Sequence, residues 1–233
     1  AIITEKIHGK NMRLMIPENA QSTDDIIFGA REHAEDHPAY GLQSETRMLK
    51  ELLDLNKILN YFRKENKKII IFGELYGLGV QKGIKYREDK GFIVFDMIKG
   101  NEFIDFDDLK STCADMGLEV IPILYKGKPD KNIFDKFINV DSVLAKNHNV
   151  EQKTTTEGVV IRSNPLKKNQ YDEFIICKYK SDWALEEKVV KKSKDLSLVH
   201  EYTERFVTKN RVEKMIEKLK EKSLFTGTMR DIP

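Results

Sequence analysis

The pattern of hydrophobic and polar positions predicts a chain built mainly from short strands. Apolar, β-rich runs bounded by Gly, Pro or polar residues occur at 1–6, 12–16, 68–77, 92–97, 119–124, 158–162 and 174–180. Such runs are typical of strands. We expect 12–16 to be the antiparallel return of the first strand, and the polar segment 17–43 to be a loop. Pro122 cannot donate to a ladder, so 119–124 should lie at a sheet edge or a strand start.

Helical spacing of apolar positions predicts three helices among these strands. The segment 45–66 carries Met48, Leu49, Leu52, Leu55, Leu59 and Phe62 at intervals that place them on one helix face. A second helix is predicted at 106–116 and a weaker one at 133–145. After about residue 186 the sequence becomes Lys- and Glu-rich and helical, so we expect a domain boundary near 188–195 and a helical C-terminal region at 191–233.

This order of elements predicts an α+β fold, in which antiparallel sheets flanked by helices occupy residues 1–190. The 233 residues are 40% hydrophobic and 33% charged, as in soluble globular proteins. The net charge of +2 from 40 basic and 38 acidic residues still allows local basic patches. No apolar run suits a membrane span or a signal peptide, so an intracellular location is expected. Cys113 and Cys177 lack metal-ligand spacing and are interpreted as two buried thiols.

The first candidate for chemistry is Lys6, at the end of the first predicted strand. Lys6 and Gly9 fit the pattern Lys-x-x-Gly, which marks the nucleophile of covalent nucleotidyltransferases. A lysine amine attacks phosphorus only when neutral, and Gly9 lets the backbone approach a nucleotide closely. The pattern alone is weak, because a solvated lysine at a strand end would match it as well.

Further candidate residues lie in or beside the predicted strands. Glu74 could accept a hydrogen bond from a ribose hydroxyl, and Phe95 could stack on adenine. Glu157 could bind Mg²⁺ beside phosphates. Lys178 and Lys180 are two residues apart on one strand and therefore share a face. Two cations on one face suggest an anion between them, such as a triphosphate, and would help to keep Lys6 unprotonated.

Together these motifs resemble the nucleotidyltransferase domain of the RNA ligase 2 family, the ATP-dependent ligases of phages and of trypanosome RNA editing. In the run 5–11, Glu-Lys-Ile-His-Gly-Lys-Asn, His8 stands where DNA ligases and capping enzymes usually carry Asp. The run 72–82, Phe-Gly-Glu-Leu-Tyr-Gly-Leu-Gly-Val-Gln-Lys, is also typical of the family. The resemblance covers about residues 2–190, and 206–212 fits the opening of the family's small C-terminal domain less closely.

The resemblance implies an ATP-grasp-like ligase fold, a lysyl-AMP intermediate, and the cofactors ATP and Mg²⁺, with Mn²⁺ able to substitute. It implies that Lys6 is the nucleophile and that His8 is needed for later steps. By the same resemblance, Glu74 binds the ribose and Phe95 stacks on adenine. Glu157 binds the metal, and Lys178 and Lys180 contact phosphate. The implied nucleotide pocket further includes Glu5, Ile7, Asn11 and Arg31. The implied substrate is RNA with 5′-phosphate and 3′-hydroxyl ends, at nicks in duplex RNA or RNA/DNA hybrid, sealed by a monomer.

Two other interpretations stay open at this point. One is a different nucleotidyltransferase, either a DNA ligase or a GTP-using capping enzyme. The other is a non-catalytic RNA-binding relative. The chain also has only five residues before Lys6 and ends at Pro233, earlier than full-length relatives, which suggests a natural minimal ligase or a shortened chain.

Overall fold

The computed structural model describes residues 1–31, 42–65, 67–81, 83–128, 133, 135–151, 153–181 and 184. The predicted C-terminal region at 191–233 and the boundary near 188–195 lie outside the described residues. The described strands are β1 Ile2–Glu5, β2 Lys10–Ile16, β3 Ile27–Ala30, β4 Ile69–Gly77, β5 Lys90–Lys99, β6 Glu102–Phe103, β7 Glu119–Val120, β8 Ile123–Lys126, β9 Gly158–Arg162 and β10 Ile176–Lys180. The described helices are α1 Gln43–Leu52, α2 Leu55–Glu65, α3 Phe106–Met116 and α4 Val143–Asn147. Within these residues, no helix is long and apolar enough to cross a membrane.

The strands form two sheets, as the α+β prediction requires. The first sheet has the order β10-β9-β1-β8 and is antiparallel throughout. The second has the order β3-β2-β4-β5-β6 and is antiparallel, with β7 added in parallel beside β5. The segment 119–124 changes sheets at Pro122, because β7 pairs with β5 whereas β8 forms an edge of the first sheet beside β1.

The predicted hairpin between the first two strands is wrong, because β1 and β2 belong to different sheets. All residues of β1 are buried, with Ile2 in one core cluster and Ile3 in the other. A strand that is buried on both faces needs a neighbour on each side, and β8 and β9 supply them. The chain then crosses at 6–9 to the second sheet, where β2 pairs with β3 and β4.

The segment 17–43 is not only a loop, since it contains β3 and the beginning of α1. In β3, Phe28 is fully buried and pairs with Leu14 of β2. Polar neighbours on both sides hide this four-residue strand in the sequence. Ser22 caps a short 3₁₀ turn at Thr23–Asp25 that directs the chain into the strand.

Two of the three helix predictions also need correction. The single helix at 45–66 is two helices, because Asp54 begins a second one by accepting a hydrogen bond from the Lys57 N–H at 2.9 Å. The helix at 133–145 is not continuous: among the described residues, Ile133 is helical, Asp135–Phe137 form a 3₁₀ turn, and α4 begins only after its N-cap, Ser142. α3 lies where it was predicted, between the N-cap Asp105 and the left-handed C-cap Gly117.

Candidate active site

Lys6 lies where the chain leaves the first sheet, immediately after β1. Its backbone N–H donates to the Gly158 carbonyl at 2.9 Å, which extends the pairing of β1 with β9 by one residue. Its Nζ donates to Glu157 Oε2 at 2.6 Å, and its side chain is 20% exposed. The amine is therefore anchored at both ends and still reaches solvent through the cavities around it.

Glu157 is the carboxylate at the centre of the site. Its side chain is only 4% exposed, and its two oxygens accept from Lys6 Nζ at 2.6 Å and from Lys180 Nζ at 2.7 Å. His8 Nδ1 lies 3.4 Å from Oε2. Burial alone would raise the pKa of Glu157, but the hydrogen bonds from His8, Lys180 and Lys6 outweigh burial and hold this pKa at about 2. Glu157 is thus ionised throughout the physiological range.

Glu74 projects from β4 opposite Asn11 of β2 and lines the same space. Burial raises the pKa of Glu74 to about 7, with the nearby Lys6 opposing the rise and Glu157 adding to it. Gly9 makes this arrangement possible, because a Cβ on Gly9 would lie 2.4 Å from the Leu75 carbonyl oxygen and 2.7 Å from Glu74 Cγ. The turn therefore packs directly on the β4 backbone.

The lysines of β10 have unlike surroundings. Lys180 pairs with Glu157, whereas Lys178 forms no ion pair within the described part of the chain. Partial desolvation, followed by the charges of Arg31 and Lys6, lowers the pKa of Lys178.

Cys177 lies between these lysines in sequence and projects from the opposite face of β10. It is exposed, so the prediction of two buried thiols holds only for Cys113. Its neighbours on the same face of the strand, Ile175 and Tyr179, are exposed as well, so this face of β10 is uncovered.

Two cavities meet at Lys6. The first, which we call the apolar cavity, has a volume of about 480 Å³ and is lined by the aromatic residues Phe72, Phe95 and Phe103 together with Ile121, Val160 and the polar residues of the site. Phe95 lies at a β-bulge. Phe72 pairs with Asp96 and Gly73 pairs with Val94, so Phe95 is the extra residue of β5. This size and this mixture of aromatic and charged groups suit a small-molecule ligand.

The second cavity, which we call the polar cavity, adjoins the first at Lys6 and has a volume of about 600 Å³. His8, Lys10, Glu45 and Glu157 line it but not the apolar cavity. Lys10 and Glu45 form an ion pair across its wall. The polar cavity therefore offers charged and hydrogen-bonding groups and, unlike the apolar cavity, has no Phe, Tyr or Trp ring among its described lining residues for a base to stack on.

The structure brings all eleven predicted site residues to these two cavities. Both cavities are lined by Lys6, Ile7, Asn11, Arg31 and Glu74. The apolar cavity alone is lined by Glu5, Phe95, Lys178 and Lys180, and the polar cavity alone by His8 and Glu157. Glu5 is fully buried, and its Oε2 accepts from the Leu144 N–H at 3.0 Å. The roles of these residues stay predictions.

The sequence interpretation overlooked the pair of Asp96 and Arg162, which lines the apolar cavity. Arg162 donates to both Asp96 carboxylate oxygens and, at 3.3 Å, to the Phe95 carbonyl. Burial raises the pKa of Asp96 to about 6, against the opposing charge of Arg162. The pair joins β5 of one sheet to β9 of the other beside Phe95. Two opposite charges inside two apolar strand runs were the available signal, since buried charges are paired.

A family model described as RNA ligase matches residues 1–180, which include every residue of both cavities. The chain belongs to the RNA ligase family. This membership accounts for the shared order of the motifs from Lys6 to Lys180, and it agrees with the resemblance seen in the sequence. No curated protein sequence gives a significant match to the chain.

Solved structures of an RNA ligase from Naegleria gruberi share the fold of this member of the family. A mutant of that ligase with ATP and Mn matches at a TM-score of 0.55 and 17% identity, covering 80% of this chain and 51% of that one. A mutant with AMP and Mn gives the same values. The ligase with PPi matches at a TM-score of 0.54 and 17% identity, covering 80% of this chain and 50% of that one. The chain thus spans about half the length of the ligase structures it matches.

Proposed function

We propose that the chain is an ATP-dependent RNA ligase that works through a lysyl-AMP intermediate at Lys6. The observation that carries the proposal is the position of the Lys6 amine, which lies where the apolar cavity and the polar cavity meet. Glu157 holds this amine, and Lys178 lines the apolar cavity beside it. Family membership and the solved Naegleria gruberi ligase structures with ATP, AMP and Mn support the choice of nucleotide and reaction.

In the first step, the neutral Lys6 amine attacks the α-phosphorus of ATP. A P–N bond forms, the P–O bond to pyrophosphate breaks, and the proton displaced from the attacking nitrogen passes to water or to the departing pyrophosphate. The adenosine occupies the apolar cavity, with Phe95 against adenine and Glu74 beside the ribose, while Lys178 and Lys180 neutralise phosphate oxygens. Lys6 must leave Glu157 to attack, so this carboxylate holds the amine before the reaction and releases it during the reaction.

In the second step, a 5′-phosphate oxygen of RNA attacks the phosphorus of the lysyl adenylate, and the P–N bond breaks. This leaves AMP joined to the RNA end and restores Lys6. In the third step, the 3′-hydroxyl of the adjoining strand attacks the 5′-phosphorus and AMP departs. The polar cavity beside Lys6 is where these ends would lie, because its groups suit phosphate and hydroxyl and not a base.

The fit of a divalent metal ion rests on Glu157. Its carboxylate is ionised, buried and directed at the position where Lys6 meets the cavities. Among the described residues, no three His, Cys, Asp or Glu side chains cluster as a metal site. An ion such as Mg²⁺ or Mn²⁺ would take Glu157 as a protein ligand and complete its shell largely with phosphates and water, a common arrangement for Mg²⁺. Such an ion would neutralise charge on the phosphates.

The deciding experiment is incubation with ATP radiolabelled at the α-phosphate, with Mg²⁺, followed by denaturing electrophoresis. We expect the wild-type chain to acquire an acid-labile label and Lys6→Ala to acquire none. Lys110→Ala, which changes an exposed lysine on α3, is the matched control and should label like the wild type. Absence of label on the wild type, or equal label on Lys6→Ala, would exclude the proposal. Labelled GTP in a parallel reaction separates a ligase from a capping enzyme.

We also propose that the preferred substrates are nicks in duplex RNA or in an RNA/DNA hybrid. Sealing is measured on nicked RNA duplex, nicked hybrid, nicked DNA duplex and single-stranded RNA, at several salt concentrations because phosphate contacts weaken with salt. We expect the RNA-containing nicks to be sealed fastest. Preferential sealing of DNA nicks would instead indicate a DNA ligase.

A further inference from the structure

The loop between β4 and β5, at 78–89, contacts the backbone of the turn that carries Lys6. The His8 N–H donates to Tyr86 Oη at 2.9 Å, and Gln81 Nε2 donates to the Gly9 carbonyl at 3.3 Å. These partners are 78 and 72 residues away from the turn in sequence. The peptide groups on either side of the His8–Gly9 peptide are therefore both bound by one distant loop.

Tyr86 is a rigid partner for this contact. Its side chain is fully buried and meets the Tyr76 ring edge to face, with centroids 5.8 Å apart and planes at 79°. Thr154 Oγ1 donates to the neighbouring Lys85 carbonyl at 3.0 Å and fastens the loop. Burial raises the pKa of Tyr86 further above its usual range, so the group stays a neutral phenol. Its hydroxyl is thus fixed beneath the His8 peptide.

Lys6 and His8 both approach the Glu157 carboxylate with their side chains, but their backbones depend on different supports. Lys6 is fixed by the Gly158 carbonyl of β9 and by Glu157, neither of which belongs to the loop. The His8 backbone is held by Tyr86, and the His8 side chain lines only the polar cavity. A change in the loop should therefore displace His8 and the polar cavity more than Lys6 and the apolar cavity.

We propose that Tyr86 and Gln81 are positioning residues that hold the His8–Gly9 part of the turn for reactions in the polar cavity. This inference rests on the proposed function, in which adenosine enters the apolar cavity and RNA ends enter the polar one. It follows that Tyr86 and Gln81 affect the transfer of AMP to RNA and the final sealing more than they affect the adenylylation of Lys6.

The test uses Tyr86→Phe, which keeps the ring in place and removes only the hydroxyl. Tyr171→Phe, at an exposed tyrosine, is the matched control. Two rates are measured under single-turnover conditions: label transfer from ATP to Lys6, and label transfer from the adenylylated protein to a nicked RNA duplex. We expect the first rate to stay within about twofold of wild type and the second to fall at least about fivefold, because the turn can shift once the His8 N–H has lost its hydrogen bond to Tyr86.

Gln81→Met is the second variant, with Gln43→Met on the exposed surface of α1 as its control. It removes the donor to Gly9 without altering the buried ring, and so tests the proposal even if Tyr86→Phe folds poorly. We expect the same selective loss of the second rate. A general loss of structure would lower both rates by the same factor, so equal losses in both steps would overturn the proposal.

An unchanged second rate in both variants would overturn it too. Failure of the proposed function is distinguishable from either result, because in that case the wild-type chain itself would acquire no label from ATP. Thermal unfolding of each variant, measured beside its control, identifies any variant whose rates reflect unfolding.

Discussion

Lys6 Nζ and Glu157 Oε2 are 2.6 Å apart, and the other oxygen of the same carboxylate holds Lys180. The proposed nucleophile and one proposed phosphate ligand thus share one buried anion. The sequence interpretation explained the two lysines of β10 by an anion between them, and Glu157 is an anion that is paired with Lys180. In the proposed reaction, Lys180 exchanges Glu157 for a phosphate oxygen, whereas Lys178, which forms no ion pair among the described residues, meets the phosphate directly.

The first prediction concerns the charge of Glu157. Glu157→Gln keeps the size of the side chain but removes the charge that holds Lys6 and Lys180 in place. We expect the rate of Lys6 adenylylation to fall roughly 10²-fold, the usual effect of losing one electrostatic contact at a reacting centre. The measurement is the time course of label incorporation from radiolabelled ATP. Glu51→Gln, at an exposed position on α1, should react at the wild-type rate; similar rates for the two variants would show that the carboxylate has no such role.

The second prediction concerns pH and Glu74. The unfolded chain releases the Glu74 proton near pH 4.5, whereas burial keeps it on the folded protein until about pH 7. The folded state therefore binds more protons between these values, and this group makes the free energy of unfolding fall as pH rises from about 4.5 to about 7. Glu74→Gln cannot titrate and lacks this contribution.

Urea unfolding of wild type and Glu74→Gln at a series of pH values measures the difference. We expect the stability of the wild type relative to the variant to decrease across that window and to be flat below it. Glu51→Gln, at an exposed position of α1, is measured beside it as the control for the loss of one surface carboxylate. A difference that rises with pH would mean that the folded protein favours the ionised form of Glu74.

The sequence predicts the parts of this fold that depend on local pattern. The strands with continuous apolar runs, β4, β5, β9 and β10, lie where expected, as does α3 with its Asp105 and Gly117 caps. Lys178 and Lys180 share a face because alternation along a strand is a local property. Errors occur where tertiary pairing decides: β1 reads as half of a hairpin, but its neighbours β8 and β9 come from residues more than a hundred positions away.

In the candidate site, too, the sequence predicts local features but not those that depend on tertiary contacts. The motifs identify residues such as Lys6 and Glu74 by type and order, which is information that the sequence contains. They do not reveal that Glu157 is shared by two lysines, that a bulge places Phe95, or that Tyr86 holds His8. Each of these depends on sheet register or on a long loop folding back, and neither has a periodic signature along the chain.

The third prediction concerns the buried pair of Asp96 and Arg162. Arg162→Met leaves an unpaired carboxylate in the wall of the apolar cavity, and removing one partner of a buried pair destabilises a protein by about 3–5 kcal/mol. Replacing both residues, in Asp96→Leu with Arg162→Met, should restore part of that loss because no buried charge remains. Arg47→Met, whose parent side chain is 76% exposed, should change the free energy of unfolding by less than about 0.5 kcal/mol. Urea unfolding measures all three; a double variant no more stable than Arg162→Met would argue against the unpaired charge as the cause.

The last prediction compares two glycines, one at a position with no room for a side chain and one at a position with a left-handed backbone. Gly9 does not have a left-handed φ, but a Cβ there would lie 2.4 Å from the Leu75 carbonyl oxygen, so Gly9→Ala must push the turn away from β4. Gly100 has a φ of +64° with no atom within 4 Å of an added Cβ, so Gly100→Ala strains only its own backbone, at about 1–2 kcal/mol. The same Cβ would lie 2.7 Å from Glu74 Cγ, so Gly9→Ala also displaces the proposed ribose ligand, which Tyr86→Phe does not. We expect Gly9→Ala to slow Lys6 adenylylation roughly 10²-fold, as a shift of about 1 Å in a substrate-positioning group can do. Gly100→Ala should lose stability in thermal unfolding but keep the wild-type rate. If Gly9→Ala instead takes up label as fast as Gly100→Ala, the close packing of Gly9 on Glu74 does not shape the nucleotide site.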